Sequence, residues 1–345
     1  MSDFRIDKIT NRDGSAGTQI AGITTFSGTS GMQLPSGPTE YRGGRGRGVF
    51  NIGETSPTYV NSLNYITIAT TGNAQDFGDL STTLAVSQNG SNSTRGVFAA
   101  GYSHPSNRTG IDYVTMSSKG GASAFGDAAR PVRYADTVSD STRIVWSGGF
   151  DTGYPGVILA DMEYITTATT GSSSKFGDLR TKNWLGASAA SPTRGVLMGG
   201  RNQPGTPESK KIVYITTQSK GQDEDFGELT VARSYIAGGM LCSTTRGICA
   251  GGYDGSGPNS TMDYITFTTK GNAADFGDTI AAIRATGNMS SLTRGVMSNG
   301  RQTPAIVNTL QYVTISTTGN ATDFGDSTAA AGWNGGVSDS HGGLG

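Results

Sequence analysis

Short apolar runs separated by Gly-, Ser- and Thr-rich stretches return along this chain at a regular interval. Between Leu84 and Asp127 they read as four strands, A to D from the axis outward. These are Leu84–Gln88, Arg95–Ala100, Tyr113–Met116 and a short strand from Phe125-Gly126-Asp127, with Asn89-Gly90-Ser91-Asn92-Ser93 as the first turn. In strand C the Tyr and the following Ile or Val point to opposite faces, because side chains alternate across a strand. Each therefore buries against a different neighbour.

The pattern occurs six times. Tyr65, Tyr113, Tyr164, Tyr214, Tyr264 and Tyr312 are each followed by Gly seven residues on, and five residues later by Phe-Gly-(Asp or Glu). The phenylalanines are Phe77, Phe125, Phe176, Phe226, Phe276 and Phe324, at intervals of 48, 51, 50, 50 and 48 residues. A second phrase, an Arg before an apolar run, keeps step at Arg47, Arg95, Arg143, Arg194, Arg246 and Arg294. A period near 50 residues is the length of a four-stranded propeller blade. The predicted fold is an all-β, six-bladed β-propeller over residues 47–340, with an extended N-terminal arm (1–46) and a tail (341–345). The repeat starts at strand B (Arg47–Asn51) with no strand A before it, and Ser327–Ser338 follows the last copy in the strand A position. That segment is expected to complete the first blade, and closing a ring in this way removes exposed sheet edges.

Composition fits this reading. Only 34% of residues are hydrophobic and 53 are Gly, but the regular spacing of Tyr, Ile and Phe builds a core from a Gly-rich chain. A net charge of −1 offers no basic footprint for nucleic acid. The Met1-Ser2-Asp3-Phe4-Arg5 start has no apolar signal core, and no run reaches membrane-spanning length, so no membrane insertion is expected. Cys242 and Cys249 flank a turn and read as two reduced, buried thiols.

A double-Gly strand B, a Tyr-containing strand and an aromatic-Gly step resemble the kelch repeat, with Phe-Gly-Asp in place of the usual Trp. The wording Tyr65-Ile66-Thr67-Ile68-Ala69-Thr70-Thr71-Gly72 followed by Asp76-Phe77-Gly78-Asp79-Leu80 is similar to repeats in virion structural proteins of tailed marine and cyanobacterial phages. The leader Ala21-Gly22-Ile23-Thr24-Thr25-Phe26-Ser27-Gly28 resembles segments that precede other modules in such proteins. The resemblance implies a non-enzymatic virion protein, present in multiple copies and anchored to capsid, neck or tail proteins. Phe4, Ile6, Ile20, Ile23, Phe26 and Leu34 of the arm are its candidate anchors.

Residues present in all six copies are read as structural. They include the arginines and the acids Asp79, Asp127, Asp178, Glu228, Asp278 and Asp326, which are expected to form a ladder of Arg–carboxylate pairs. Function is sought where copies differ. From Arg to Tyr the B–C span measures 18, 18, 21, 20, 18 and 18 residues, and its content changes completely. Loops on a rigid scaffold carry binding, so Tyr102, His104, Phe150, Tyr154, Arg201, Tyr253 and Arg301 are the candidate contact residues. The alternative function is a carbohydrate-binding adhesin that recognises a host-surface glycan through this face. Two histidines, His104 and His341, and the lack of a metal-ligand cluster imply neither catalysis nor a cofactor. The acidic run Asp223-Glu224-Asp225 reads as a solvated turn.

Overall fold

The computed structural model describes residues 26–27, 31–32, 46–151, 157–202 and 207–344. The chain divides into a unit of residues 1–45 and a unit of residues 46–345. In the first, Phe26–Ser27 and Gly31–Met32 pair antiparallel. The candidate anchors Phe4, Ile6, Ile20, Ile23 and Leu34 lie outside the described residues, as does the side chain of Phe26.

The second unit is a six-bladed, all-β propeller. Blade 2 runs Gln88–Ser91, Arg95–Ala99, Gly110–Thr115 and Ser123–Asp127 from the axis outward, each strand antiparallel to the next. Blades 3, 4 and 6 repeat this order from inner strands Asp136–Ser139, Ala187–Ala190 and Thr286–Ser290. Blade 5 has strands Arg246–Ala250, Asn259–Thr266 and Ala274–Ile283, with a single bridge from Cys242 to Gly247 at the inner position. Blade 1 joins the two ends of the unit: Gly48, Val49 and Phe50 pair with Ser338, Val337 and Gly336.

Ring closure follows the sequence pattern, but the inner strands start later than expected. Strand A of blade 2 begins at Gln88 rather than Leu84, and the tight turn is at Asn92, whose Oδ1 accepts the N–H groups of Thr94 (2.9 Å) and Arg95 (2.8 Å). In blade 6 the outer strand continues to Ala331, which leaves Gly336–Ser338 as the closing strand. The cause is a left-handed backbone turn between outer and inner strands, at Val86 in one case and Trp333 in the other.

Six copies of one phrase lock neighbouring blades together. In five of the six copies the N–H of the C–D-turn Gly donates to the carbonyl of the preceding blade's Phe, for example Gly120 to Phe77 (2.9 Å) and, at the closure, Gly72 to Phe324 (2.7 Å). Gly78 has φ +143°, and a Cβ there would lie 2.4 Å from the Gly120 carbonyl oxygen, so the Gly after Phe permits this approach. Within each blade the Tyr and Phe rings meet edge to face, 6.0 Å apart for Tyr65 and Phe77. The first apolar residue after each Arg-Gly or Arg-Ile step (Val49, Val97, Val145, Val196, Ile248 and Val296) is fully buried.

The arginines also bridge blades, but not through carboxylates. Each lies over the Tyr of its own blade, from 4.3 Å (Arg294 on Tyr312) to 5.1 Å (Arg47 on Tyr65). Each donates to backbone carbonyls at the end of another blade's strand C: Arg95 to Thr167 and Ala168, Arg143 to Thr217, Arg246 to Ile315 and Ser316, Arg294 to Ile68 and Ala69. Arg47 reaches Met116 and Arg194 reaches Phe267. The expected acids stay on the outer edge, where Asp178 pairs with Lys175 and Asp127 accepts from Thr109. The correction has a simple origin: strand B starts beside a neighbour's strand end, where unpaired carbonyls are available and carboxylates are not. Arg294→Ala, at the seam between blades 6 and 1, is expected to lower stability by about 2 kcal/mol in denaturant unfolding, the size of a lost charge-assisted hydrogen bond plus a cation–π contact.

The side-chain acceptors that do link blades, carboxylate or carboxamide oxygens, sit one residue before the strand C Tyr. Asn64, Asp112, Glu163, Asp263 and Gln311 accept backbone N–H groups of Thr328 (3.1 Å), Ser81 (3.2 Å), Ala129 (3.1 Å), Thr230 (3.1 Å) and Ile280 (2.9 Å). In blade 4 this position is Val213, which cannot accept, and Asp223 takes over by binding the N–H of Arg180 (2.5 Å). Asp223 is therefore buried, not a solvated turn residue. A fully buried Arg–carboxylate pair exists at Arg233–Asp263 (2.6 Å), outside the sixfold phrase.

At one end of the axis, Ser91, Ser139, Cys242, Ser290 and Ser338 stitch inner strands together: Ser338 Oγ donates to the Ser290 carbonyl and Ser91 Oγ to the Ser338 carbonyl, both at 2.7 Å. Cys242 Sγ accepts the N–H of Ala190 (3.4 Å), and both thiols are buried and unbridged. Residues 341–344 are not a loose tail. His341 is 1% exposed, donates from Nε2 to the Ser91 carbonyl (3.0 Å) and accepts the Gly343 N–H at Nδ1 (3.1 Å). Burial pushes its imidazole down to about 4, so it is neutral at pH 7.

Candidate functional site: the ring of loops at the open end of the axis

On the face formed by B–C and D–A loops, two backbone positions repeat exactly while their side chains diverge. The first lies seven residues after each strand-B Arg: Glu54, Tyr102, Phe150, Arg201, Tyr253 and Arg301. Each pairs antiparallel with the residue eight after the preceding Phe, giving Glu54–Gly332, Tyr102–Ala85, Phe150–Arg133, Arg201–Trp184, Tyr253–Ser234 and Arg301–Arg284. These pairs hold each B–C loop to the neighbouring D–A connection; Ala85 and Tyr102, for instance, exchange N–H···O bonds of 3.0 and 2.8 Å.

The second position, nine residues after each Phe, holds Val86, Tyr134, Leu185, Tyr235, Ala285 and Trp333, all with φ between +49° and +65°. Bulky and β-branched residues rarely adopt this conformation, and such strain persists where surrounding structure dictates it. Here the dictating element is a run of five hydrogen bonds that joins all six positions. Val86 N–H binds the Trp333 carbonyl (3.0 Å), Tyr134 that of Val86 (3.3 Å), Leu185 that of Tyr134 (3.1 Å), Ala285 that of Tyr235 (2.9 Å) and Trp333 that of Ala285 (3.1 Å). Aromatic residues alternate with aliphatic ones around these six positions, so three large rings fit where six would collide. Trp333 contacts both Tyr134 (centroids 5.2 Å) and Tyr235 (5.5 Å).

These six residues line an axial funnel together with Ser87, Asp136, Thr286 and Asn334. A water molecule can enter only about 50 Å³ of it, room for one or two waters. A larger ligand therefore rests on the rings rather than descending the axis. Asp136 is buried here, its Oδ2 accepting from Asn183 Nδ2 (3.0 Å), with the Gly186 backbone also bonded to it. Desolvation pushes its carboxyl up to about 8, against which these two bonds are the opposing influence, so at pH 7 it is mostly the neutral acid. Burial likewise raises the Tyr134 hydroxyl to about 12, which keeps it a hydrogen-bond donor.

Around the funnel the loops supply more rings and four arginines. Phe150 stacks on Trp184 (5.2 Å, 27°), and His104 lies parallel to Tyr59 (6.0 Å, 6°) while its Nδ1 meets the Tyr102 hydroxyl (3.1 Å). Arg133 sits over Tyr102, Tyr134 and Phe150 at 5.1–5.3 Å. Arg284 lies over Tyr253 (5.2 Å) and Tyr235 (5.5 Å), and Arg201 lies over the same two rings. Arg201 is paired with Glu208, and Arg301 with Glu54 (2.7 Å).

The sequence candidates Tyr102, Phe150, Arg201, Tyr253 and Arg301 thus occupy five of the six copies of one ring position, with His104 beside them; Tyr154 lies outside the described residues. Sequence reasoning missed Glu54, the sixth copy, and the whole D–A contribution: Arg133, Tyr134, Trp184, Tyr235, Arg284 and Trp333. Their constant offset from Phe was a usable signal. Among the described residues no group of three or more His, Cys, Asp or Glu is placed to hold a metal, and no helix is long and apolar enough to cross a membrane.

No family model and no curated protein matches the sequence. The fold is similar to a solved structure described as "Structure of YjhT", with a TM-score of 0.62 and 9% identity over 75% of this chain and 88% of that one. At that identity the likeness is one of fold, a β-propeller.

Proposed function

We propose that this chain is a non-enzymatic binding module that holds a saccharide on the face formed by its B–C and D–A loops. One observation carries the reading. Six equivalent backbone positions, joined by a run of five backbone hydrogen bonds, present dissimilar side chains, and the large ones are aromatic rings beside hydrogen-bonding groups. Flat rings pack against the C–H faces of sugars, while Tyr hydroxyls and arginine donors take the sugar oxygens. The rings are already buttressed by one another, so little side-chain freedom is lost on binding. The test is calorimetric titration of the full chain with glycans of a candidate host surface. Trp333→Ala and Tyr134→Ala are each expected to weaken binding at least about tenfold, the scale of one aromatic contact, with little change in melting temperature. Unchanged affinity in both would remove this face as the site.

The resemblance of the repeats and leader to tailed-phage virion proteins supports a module carried on a particle, fixed by residues 1–46 to neighbouring virion proteins in multiple copies. One structural observation is consistent with an attachment role for the arm: the pair that closes the ring, Gly336–Ser338 on Gly48–Phe50, lies wholly within residues 46–345. Equal occupancy of arm-deleted and full-length chains on particles lacking the protein would refute this reading.

A further inference from the structure

Four arginines occupy the paired ring positions of the loop face, and two of them are neutralised, Arg201 by Glu208 and Arg301 by Glu54. Arg133 and Arg284 are different. Neither side chain makes a hydrogen bond or ion pair with any described residue, whereas the side chains of all six blade arginines are satisfied by carbonyls. The Nε of both is buried without a partner. Each guanidinium is instead held against aromatic rings, three for Arg133 and two for Arg284. A half-buried cation without a counter-ion is unfavourable in the free protein, and ring contacts offset only part of that. What remains is a fork of Nη donors that makes no hydrogen bond to any described residue.

The placement of the two is also informative. Arg133 lies on the connection into blade 3 and Arg284 on the connection into blade 6, so they stand across the axis from one another in a six-bladed ring. Between them lie Tyr134, Trp333 and Tyr235, in mutual contact. A ligand resting on these rings has a cationic fork on either side.

We propose that Arg133 and Arg284 are paired anion anchors, and that the saccharide held on this face is an acidic one carrying carboxylate or sulfate groups. The inference rests on the saccharide reading above and narrows it. Guanidinium is suited to such groups because its planar donors match two oxygens at once, and the aromatic packing fixes that geometry before the ligand arrives.

The experiment titrates the full chain with a hexamer of galacturonic acid and with the same hexamer after reduction of its carboxyls to alcohols. The acidic form is expected to bind at least about tenfold more tightly, one charge-assisted hydrogen bond's worth, and to weaken as salt rises from about 0.05 to 0.5 M. Arg133→Gln and Arg284→Gln are each expected to lose about tenfold more for the acidic hexamer than for the neutral one; Arg133→Lys should recover part of that difference. Equal affinity of the two hexamers for the parent chain, with no salt dependence, overturns the anion assignment and leaves the saccharide reading standing. Binding of neither overturns both. The parent-chain comparison does not depend on whether any variant folds.

Discussion

Deleting residues 335–345 is expected to abolish cooperative unfolding and to yield an aggregating protein. The segment supplies the inner strand of blade 1, so its loss exposes the Arg47–Asn51 edge along its length. Unpaired strand edges recruit other chains. The deletion also removes contacts that tie three blades together. Gly335 N–H binds Asn51 Oδ1 (2.7 Å), Asp339 Oδ1 accepts the Arg47 N–H (2.9 Å), and Ser338 bonds both Ser290 and Ser91. The His341 plug goes with it, leaving the Ser91 carbonyl without its donor in a buried site. Size-exclusion chromatography and a thermal melt decide the matter. A soluble monomer melting in one transition at the parent temperature would show that blade 1 closes without this strand.

Asp136→Asn should make the protein more stable at neutral pH, which is the reverse of what most buried substitutions do. The folded carboxyl keeps its proton up to about 8, whereas in the unfolded chain it ionises at its ordinary value of 3.8. Between those values the unfolded state binds fewer protons than the folded one, so stability falls as pH rises through the window, by up to about 1.4 kcal/mol per pH unit. The contribution is fully present below about pH 4 and gone by about pH 8. Asn reproduces the protonated acid, with an oxygen to accept from Asn183 and an N–H₂ where the O–H stood, and it cannot ionise. The expected gain is about 2–4 kcal/mol at pH 7–8, shrinking to near zero at pH 4. Chemical denaturation at several pH values tests it, and a gain independent of pH would mean the carboxyl is ionised in the folded state. A group that weakens the fold, placed under the rings of the loop face, is the kind of residue retained for binding rather than for packing.

Much of the architecture was legible because a propeller repeats its constraints. The interval between Phe77 and Phe324 copies set the number of blades, and the missing strand A before Arg47 foretold where the ring would close. Those inferences need only period and order. The Arg residues were recognised as structural, but their partners were not, since a carbonyl at a strand end leaves no mark in composition. Asp223 was misread for a related reason. Its burial follows from Val213, which sits where other blades have an acceptor, and only the packing of blade 3 on blade 4 connects two residues ten positions apart.

The loop face divides in the same way. The sequence by itself determined that B–C loops vary on a fixed scaffold, which found Tyr102, Phe150, Arg201, Tyr253 and Arg301. Tertiary structure alone decided that D–A connections, which look like the start of strand A, take a left-handed turn at Val86, Tyr134, Leu185, Tyr235, Ala285 and Trp333 and so share that face. None of these residues favours a positive φ by itself. The conformation is imposed by a run of five hydrogen bonds that joins all six positions, and its Val86–Trp333 link does not exist until the ring has closed.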